Sequence, residues 1–311
     1  MEDLKNIQTE ISNVMVGKEK EVELLFISLL FNGHVLLESV PGTGKTMLAK
    51  SFAKAINGKF SRIQFTPDVL PSDVTGIQFF NPKKQEFEIK PGPIMANIVL
   101  ADEINRATPR TQSSLLEVME ESQVTIDGVT VSVDNPFMVI ATQNPVESQQ
   151  GTFPLPVAQM DRFFMKLTMD YPTLREEREI MQISRGEKKK RVCEAVFTLT
   201  DFQRIRGLVE AVKFTEDVET YLLNIARETR NHPLIELGVS PRGTIALMRA
   251  AQGKAFLEGR EFVVPNDIKT MLPFVLGHRI YLTTEASLTK TSEIVLQDVI
   301  QSVSLPVEVE A

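Results

Sequence analysis

Residues 36–46 have the sequence LLESVPGTGKT, in which an apolar run leads into a glycine-containing loop and then a Lys-Thr pair. The loop fits the pattern G-x-x-x-x-G-K-[ST], by which proteins bind the phosphates of nucleotides, except that Ser39 occupies the first glycine position. The flanking sequence supplies the required context, because HVLLE (34–38) predicts a short buried strand and KTMLAKSFAKAIN (45–57) predicts a helix. The chain is therefore predicted to contain a strand, a phosphate-binding loop and a helix in succession.

The chemistry expected of this loop depends on its backbone and on two side chains. Gly42 and Gly44 let the backbone approach a phosphate without a Cβ in the way, and the helix start presents N–H groups and a positive dipole. Lys45 would contact the β- and γ-phosphates, and the hydroxyl of Thr46 would bind Mg²⁺. A turn that merely precedes a helix would explain the Pro and Gly residues but not the Lys-Thr pair. Ser39 leaves the backbone geometry at its position open, but it removes none of these ligands.

Composition limits the class of protein. The chain has 311 residues, of which 42% are hydrophobic and 24% charged, as is ordinary for a globular protein with a sizeable core. The net charge of −7 and the pI near 5.3 argue against a general binder of nucleic acid, which would usually be basic. The single cysteine, Cys193, excludes an internal disulfide, and we expect it to be an ordinary thiol of a linker.

The sequence predicts neither a targeting segment nor a histidine-based metal site. The N-terminal sequence MEDLKNIQTE is polar and acidic, unlike a secretory signal, and the longest apolar run, residues 24–31, is too short to span a bilayer. We therefore expect a cytoplasmic protein without a membrane span. His34, His232 and His278 are far apart in sequence and lack the spacing of metal ligands, so we predict that they have structural roles.

The first half of the chain alternates apolar strands with helices, which predicts a parallel sheet covered on both faces. The segments that carry this pattern are helices at 3–14 and 18–31 and further buried strands at 60–65, 97–103 and 137–145. Two segments of alternating polarity, 76–92 and 123–133, interrupt the pattern and predict inserted β-hairpins. The fold class predicted from the residues is α/β.

The second half of the chain is predicted to be helical. After a charged helix, REEREIMQIS (175–184), the basic stretch 185–194 is predicted to be a solvated connection. The predicted helices that follow lie at 201–213, 216–230, 241–258, 266–276 and 288–301. We predict a first domain over residues 1–185 and a small helical domain over 195–311.

Two further strands end in residues suited to nucleotide hydrolysis. The apolar strand in IVLADEINRA (98–107) ends in Asp102 and Glu103, 57 residues after Lys45. Asp102 would hold the Mg²⁺ shell, and Glu103 would orient and activate the attacking water. The strand in VIATQNP (139–145) ends near Asn144, whose amide could hold that water, although Asn before Pro is also an ordinary turn signal.

This combination resembles the MoxR family of AAA+ ATPases over nearly the whole chain. The segments that carry the resemblance are VGKEKEVELLFISLLFNGHVLLESVPGTGKT, FTPDVLPSDVTG, ADEINRATPRTQSSLLEVMEE, QVTIDG, ATQNPVESQQGTFPLPVAQMDRF and SPRGTIALMRAA. The family loop normally has glycine where this chain has Ser39. The resemblance implies an AAA+ αβα domain with a parallel sheet, in which the two hairpins are the helix 2 and pre-sensor 1 inserts, followed by a small helical lid domain.

The resemblance also implies roles for individual residues. The implied catalytic residues are Lys45, Asp102, Glu103, Asn144 as sensor 1, Arg162 as an arginine finger and Arg242 as the sensor 2 arginine. The implied ATP- and ADP-binding residues are Val16 and Gly17 near the adenine, and Pro41, Gly42, Thr43, Gly44, Lys45, Thr46 and Met47 of the loop and helix start. Thr46 and Asp102 are the implied Mg²⁺ ligands.

The function implied by the resemblance is a Mg²⁺-dependent ATP hydrolase that forms a ring, with six subunits as the family expectation. Such proteins act like chaperones that remodel or activate partner proteins, and their partners carry von Willebrand factor A domains. A nucleic-acid motor is an alternative, since Lys83 and Lys84 in the first hairpin turn could contact a strand, although the acidic balance opposes it. A nucleotide-gated scaffold with little turnover is a third hypothesis, and Ser39 is its only support.

Overall fold

A computed structural model of the chain describes residues 2–40, 42–143, 151–186 and 193–306. The chain divides into two compact units. The sheet unit comprises residues 2–162 and 167–202, and the helical unit comprises residues 163–166 and the chain from Gln203 onward. The domain boundary predicted between residues 185 and 195 stays a prediction.

The elements up to residue 184 alternate strands with helices, as the sequence predicts. In chain order they are α1 (Glu2–Ser12), α2 (Glu19–Leu30), β1 (Val35–Ser39), α3 (Lys45–Ala55), β2 (Phe60–Gln64), α4 (Pro71–Thr75), β3 (Gly76–Asn81), β4 (Glu86–Pro91), β5 (Ile98–Asp102), a 3₁₀ turn (Ile104–Arg106), α5 (Pro109–Glu121), β6 (Gln123–Ile126), β7 (Val129–Ser132), β8 (Met138–Gln143), α6 (Val157–Met160), β9 (Met165–Met169) and α7 (Leu174–Ser184).

A five-stranded sheet with the strand order β2-β5-β8-β1-β9 forms the centre of this fold. The pairs β2–β5, β5–β8 and β8–β1 are parallel. All five residues of β5 and the first five of β8 are buried, because both faces of a parallel sheet are covered. The prediction of a parallel sheet is thus confirmed, but the prediction that the strand at 60–65 is buried is wrong, since Ile63 is the only buried residue of β2.

Both predicted insertions are antiparallel hairpins, β3–β4 and β6–β7. The second hairpin has a two-residue turn in which Asp127 (φ 46°) and Gly128 (φ 85°) both adopt positive φ. Such a turn matches the right-handed twist of the flanking strands, which explains the Asp-Gly pair. The first hairpin leaves Phe80 and Phe87 exposed as a T-shaped pair, with ring centroids 5.4 Å apart.

The later elements are mostly helices. In chain order they are α8 (Leu199–Glu210), α9 (Glu216–Asn231), β10 (Ile235–Leu237), α10 (Pro241–Leu257), α11 (Pro265–Leu276), β11 (Tyr281–Leu282), α12 (Thr284–Ser287) and α13 (Ser292–Ser302). Helices α9, α10 and α13 begin after Thr215, Ser240 and Thr291, and each hydroxyl accepts a hydrogen bond from a backbone N–H of the first turn. The short antiparallel pair β10–β11 was not predicted.

The stretch 185–194, predicted to be a solvated connection, contains a buried residue, Cys193. Cys193 is only 3% exposed, and its thiol lies 3.4 Å from the carbonyl oxygen of Ser51 on α3. Burial raises the pKa of this thiol above its usual value, so that it is protonated at neutral pH. The expectation of an ordinary linker thiol is therefore wrong in that Cys193 is part of the core of the sheet unit. Among the described residues, no helix combines the length and the apolar character needed to cross a membrane.

Candidate nucleotide-binding site

The carboxyl ends of four neighbouring strands meet at one edge of the sheet. Parallel pairing places Glu38 of β1 beside Gln143 of β8, and Gln64 of β2 beside Asp102 of β5. Gln143 Nε2 donates to Glu38 Oε1 over 2.6 Å, which links the two central strand ends. This is the edge at which open parallel sheets bind ligands. The neighbouring residue Asn144, the implied sensor 1, lies outside the described residues.

The loop between β1 and α3 has the backbone geometry of an anion-binding loop. Gly42 (φ 87°) and Gly44 (φ 89°) both adopt the left-handed conformation that favours glycine. A Cβ on Gly44 would come within 3.0 Å of Met15 Cε, whereas a Cβ on Gly42 would meet no described atom within 4 Å. In anion-binding loops, alternating left- and right-handed residues direct successive N–H groups into one concavity, and the positive φ of Gly42 and Gly44 on either side of Thr43 matches this pattern, with α3 beginning at Lys45. Pro41, another implied binding residue, lies outside the described residues.

Ser39, the departure from the loop pattern, is the last residue of β1. It is extended like the rest of the strand and only 1% exposed, so the position does not need the positive φ that would require glycine. Its buried Oγ has no hydrogen-bond partner among the described residues. The serine therefore fits the backbone of the loop, at the expense of one buried hydroxyl that the described part of the chain leaves unsatisfied.

Lys45 and Asp102 form the centre of the site. Lys45 Nζ lies 3.7 Å from Asp102 Oδ1, and the other carboxylate oxygen, Oδ2, accepts a 2.6 Å hydrogen bond from Arg62 Nη2. Thr142 of β8 donates to Asp102 Oδ1 over 2.6 Å. Burial alone would raise the pKa of Asp102, but the hydrogen bonds from Thr142 and Arg62 and the charges of Lys45 and Arg62 lower it below 3.8. Asp102 is therefore ionised at neutral pH.

Glu103 is held in a defined orientation beside Asp102. Its backbone is left-handed (φ 59°, ψ 49°), and its N–H donates to Thr142 Oγ1 over 2.9 Å. Its carboxylate oxygen Oε2 accepts from Gln64 Nε2 over 3.0 Å and lies 3.2 Å from Arg106 Nε. A left-handed non-glycine residue is uncommon and costs free energy, which the surrounding contacts must offset. The sheet edge thus presents two adjacent carboxylates with different partners.

A cavity of about 490 Å³ lies beside the loop, within the size range of small-molecule sites. Its lining includes five of the implied binding residues, Val16, Gly42, Thr43, Gly44 and Met47. Pro172, Ile180, Ile183 and Ser184 from the α7 region form another part of the wall. The mainly apolar wall suits a flat aromatic base, and the loop end suits phosphates.

Gly17, the remaining implied adenine residue, is closely approached by α7. It has φ 68°, and a Cβ at this position would lie 1.6 Å from Glu176 Oε1. Glu176 is the acidic member of a capping box, and its other oxygen, Oε2, accepts from the N–H and the hydroxyl of Thr173 over 2.6 and 2.9 Å. A side chain at position 17 would be strained by the positive φ and would displace the Glu176 carboxylate from its cap on α7, so glycine fits this position best.

Arg162, the implied arginine finger, lies in a different cleft. Its Nε is 3.1 Å from Glu120 Oε2, and both side chains are about one-third exposed. The cleft has a volume of about 300 Å³ and also contains Glu117 and Glu121 of α5. Arg162 is thus paired with an acidic surface of its own chain rather than with the cluster around Lys45.

Arg242, the implied sensor 2 arginine, belongs to the helical unit. It is exposed in the first turn of α10, next to Gly243, whose N–H donates to the N-cap Ser240 over 3.0 Å. The exposed N-terminal turn of a helix is a suitable place for a side chain that contacts an anion. Its role stays a prediction.

Four residues of the site were missed by the sequence analysis: Arg62, Gln64, Thr142 and Glu176. A signal did exist for the first two, because Arg62 and Gln64 alternate within the strand FSRIQF and so point to the same face. Thr142 and Glu176 carry no such signal, since their roles depend on which segments become neighbours in space.

Comparisons with known proteins agree with this geometry. Residues 34–165 match the ATPase family associated with various cellular activities (AAA), and residues 227–299 match the AAA lid domain. A Bacillus subtilis protein of unassigned function, YeaC, is 49% identical over 96% of this chain and 93% of its own length. Chaperone MoxR1 of Mycobacterium tuberculosis is 39% identical over 96% of this chain and 81% of its own.

A third relative and a solved structure extend the agreement. Protein MoxR of Methylorubrum extorquens is 31% identical over 88% of this chain and 86% of its own. The crystal structure of an inferred ATPase from Cytophaga hutchinsonii superimposes with a TM-score of 0.91 at 38% identity and covers 98% of this chain and 96% of its own. An α/β sheet unit with a phosphate-binding loop, a helical lid domain and these relatives lead to one conclusion: the chain belongs to the MoxR family of AAA+ ATPases.

Proposed function

We propose that this protein is a Mg²⁺-dependent ATPase that acts in the cytoplasm as a ring of six subunits and remodels or activates partner proteins. The observation that carries the catalytic part is the cluster in which Lys45 of the loop lies 3.7 Å from Asp102, with Glu103 oriented beside it. The chaperone part is supported by the relative named Chaperone MoxR1. A partner with a von Willebrand factor A domain is proposed from the family resemblance alone.

The loop and its surroundings fit ATP and Mg²⁺. The left-handed glycines Gly42 and Gly44 shape an N–H concavity for phosphate oxygens, and Lys45 supplies a positive charge for the β- and γ-phosphates. Thr46 and Asp102 offer the hard oxygen ligands that Mg²⁺ prefers. The bound ion would neutralise phosphate charge, and Asp102 is ionised and so able to bind it. Val16, Gly17, Thr43 and Met47 would hold the nucleoside, and Pro41 is assigned to the loop by the resemblance.

Hydrolysis requires a base beside the γ-phosphate, and Glu103 is the proposed base. It would accept a proton from the attacking water, while Gln64 and the Thr142 bridge keep its carboxylate and backbone in place. Asn144 is proposed from the resemblance to hold the same water. Arg162 of one subunit would stabilise the charge that develops on the γ-phosphate of its neighbour, a contribution of roughly 10³–10⁵ in rate where such fingers have been measured. Arg242 would contact the γ-phosphate from the lid.

Glu103→Gln tests this proposal because the amide keeps the shape of the carboxylate but cannot take a proton. We expect ADP and ATP affinities within about threefold of the unmodified protein and a loss of hydrolysis of about 10²-fold or more. Nucleotide affinity is measured by titration with a fluorescent analogue and turnover by phosphate release. Glu219→Gln, which removes a carboxylate from the exposed face of α9, is the control and should leave both unchanged.

The outcomes separate the competing functions. Survival of hydrolysis in Glu103→Gln would mean that another group activates the water. Nucleotide binding without hydrolysis in the unmodified protein would favour the scaffold. The net charge of −7 opposes the nucleic-acid motor, whereas the exposed ion pair between Lys84 Nζ and Glu88 Oε1, at 2.6 Å, is too weak to decide against it.

A further inference from the structure

Arg279 is a buried cation in the helical unit. It lies between α11 and β11, is 5% exposed, and donates hydrogen bonds to three backbone carbonyl oxygens, those of Phe163 (2.5 Å), Phe164 (3.2 Å) and Val275. A buried charge is costly unless its donors are satisfied, and the planar fork of a guanidinium can satisfy several carbonyls at once. Arg279 therefore connects the end of α11 to the short segment Phe163–Phe164.

His278 contacts the same carbonyl group. Its Nε2 lies 3.0 Å from the carbonyl oxygen of Phe163 and 3.0 Å from Arg279 Nη1. Burial and the neighbouring charge of Arg279 hold the pKa of His278 well below its ordinary value, so that the imidazole is neutral at neutral pH. The carbonyl of Phe163 is thus contacted by two buried side chains.

The aliphatic part of Arg279 is closely packed by the first turn of α10. A Cβ on Gly243 would lie 2.8 Å from Arg279 Cδ and 3.3 Å from Arg279 Nε. Real Cβ atoms do not come this close to a heavy atom, so glycine at 243 permits the contact. One side chain therefore contacts both the segment that begins at Phe163 and the N-terminal turn of α10.

The two contacted residues have one property in common: each directly follows an arginine that the proposed function assigns to the γ-phosphate. Phe163 follows Arg162, and Gly243 follows Arg242. Consecutive Cα atoms are 3.8 Å apart, so fixing one residue limits the positions open to its neighbour. We propose that Arg279 is a positioning residue for both arginines, because it holds the residue after each of them in one buried contact.

This proposal rests on the proposed function and can be tested without relying on hydrolysis. The test is Arg279→Lys, which keeps the positive charge but loses the planar guanidinium that donates hydrogen bonds to three carbonyl oxygens. The affinities of the full-length protein for ADP and for the non-hydrolysable analogue adenylyl imidodiphosphate are measured, and thermal unfolding establishes the folded fraction. Val299→Ala is the control. It creates a small cavity at the buried face of α13 and so destabilises the same unit with Arg279 itself unchanged.

We expect Arg279→Lys to reduce the preference for the triphosphate analogue over ADP at least fivefold, with ADP affinity changed less than twofold. Val299→Ala should leave the preference unchanged even if it lowers the unfolding temperature. In a background that carries both Arg162→Ala and Arg242→Ala, Arg279→Lys should change the preference less than twofold further, because it acts through the two arginines already removed. An unchanged preference in Arg279→Lys, or a full multiplicative effect in that double background, overturns the proposal.

Gly243→Ala decides the matter if Arg279→Lys does not fold. Alanine normally favours a helix over glycine, but here its methyl group would lie only 2.8 Å from Arg279 Cδ and 2.8 Å from Val239 Cγ1, so it would push against Arg279. We expect the same fivefold loss of preference, and its absence overturns the proposal. If Arg242→Ala itself leaves the preference intact, the role assigned to Arg242 is wrong and this proposal falls with it. The two failures can be told apart. If only the Arg279 proposal is wrong, Arg242→Ala still reduces the preference for the triphosphate analogue.

Discussion

His34 shows how a single buried group makes the stability of this protein depend on pH. It lies under β8, where its Nδ1 accepts from the N–H of Val139 over 3.0 Å and its Nε2 lies 2.8 Å from the carbonyl oxygen of Met119. This pairing requires the neutral tautomer with its proton on Nε2. A second proton would have to sit on Nδ1, facing an N–H group. Burial accordingly lowers the pKa of His34 to about 4, although the Met119 hydrogen bond opposes the shift.

The pH dependence follows from the sign of this shift. The pKa of His34 is about 4 in the folded chain and about 6.5 in the unfolded chain, so the unfolded state takes up the proton first. The stabilisation is complete above pH 6.5 and is lost as the pH falls towards 4, in total about 3 kcal/mol. We predict that His34→Gln has a shallower decline in the free energy of unfolding between pH 6.5 and 4.5, measured in urea. His278 shifts in the same direction but is present in both proteins. Equal slopes would contradict the prediction.

The elements differ in how well local sequence determines them. Strands β1, β5 and β8 were predicted because short apolar runs bounded by polar residues mark buried strands. Strand β9 was missed, since Lys166 and Thr168 interrupt its apolar residues and leave a weak alternation of five residues. Strands β10 and β11 have three and two residues, too few for any periodicity, and they exist only because the chain brings them together.

Helix α5 was missed for a different reason. Its boundaries carry good signals, a Thr108 N-cap whose hydroxyl accepts from Thr111 N–H and Pro109 at the first helical position. The helix interior, however, is rich in polar residues. Its local signals were therefore present in the sequence but were not combined into a predicted helix.

The residues of the candidate site likewise differ in whether local sequence predicts them. Lys45, Asp102 and Glu103 could be predicted because each belongs to a local motif with its own chemistry. Thr142 could not be predicted, and Gln64 could be predicted only to share a strand face with Arg62, since both reach Glu103 through the strand order β2-β5-β8, which places segments far apart in sequence side by side. Local pattern determines the reactive groups, whereas tertiary structure determines what orients them.

At the level of elements, the wall formed by α7 gives a prediction for Gly17→Ala. The added methyl group would collide with the Glu176 carboxylate, so Glu176 must give up its hydrogen bonds to Thr173, which weakens the cap of α7 at the wall of the nucleoside cavity. We expect at least about a tenfold loss of affinity for ADP and ATP alike, because both share the nucleoside, which corresponds to about 1.4 kcal/mol. Affinity is measured by isothermal titration calorimetry.

Gly128→Ala is the matched control for this prediction. Gly128 has a comparable positive φ of 85°, but a Cβ there meets nothing within 4 Å among the described residues. It should therefore show the backbone strain of about 1–2 kcal/mol without any loss of nucleotide affinity. If both variants bind ADP alike, the contact between Gly17 and Glu176 does not shape the cavity.

At the level of the whole molecule, the position of Arg162 supports the proposal that more than one subunit forms each site. Arg162 is paired with Glu120 of its own chain, and both side chains are about one-third exposed. Exposed ion pairs of this kind contribute only about 0–1 kcal/mol, so little opposes exchange of Glu120 for a more highly charged phosphate. Head-to-tail contacts that place one subunit's arginine in the next subunit's site generate a closed ring when the rotation closes.

The central claim, that each hydrolytic site is shared between two subunits, is tested most directly by mixing two inactive variants. Glu103→Gln keeps Arg162 but lacks the base, and Arg162→Ala keeps the base but lacks the finger. They are combined before nucleotide is added, and phosphate release is measured across mixing ratios. We predict that each variant alone is nearly inactive and that an equimolar mixture recovers about a quarter of the unmodified rate, the share of random interfaces that unite an intact base with an intact finger. A mixture no more active than its components, or full hydrolysis by Arg162→Ala alone, would contradict the account.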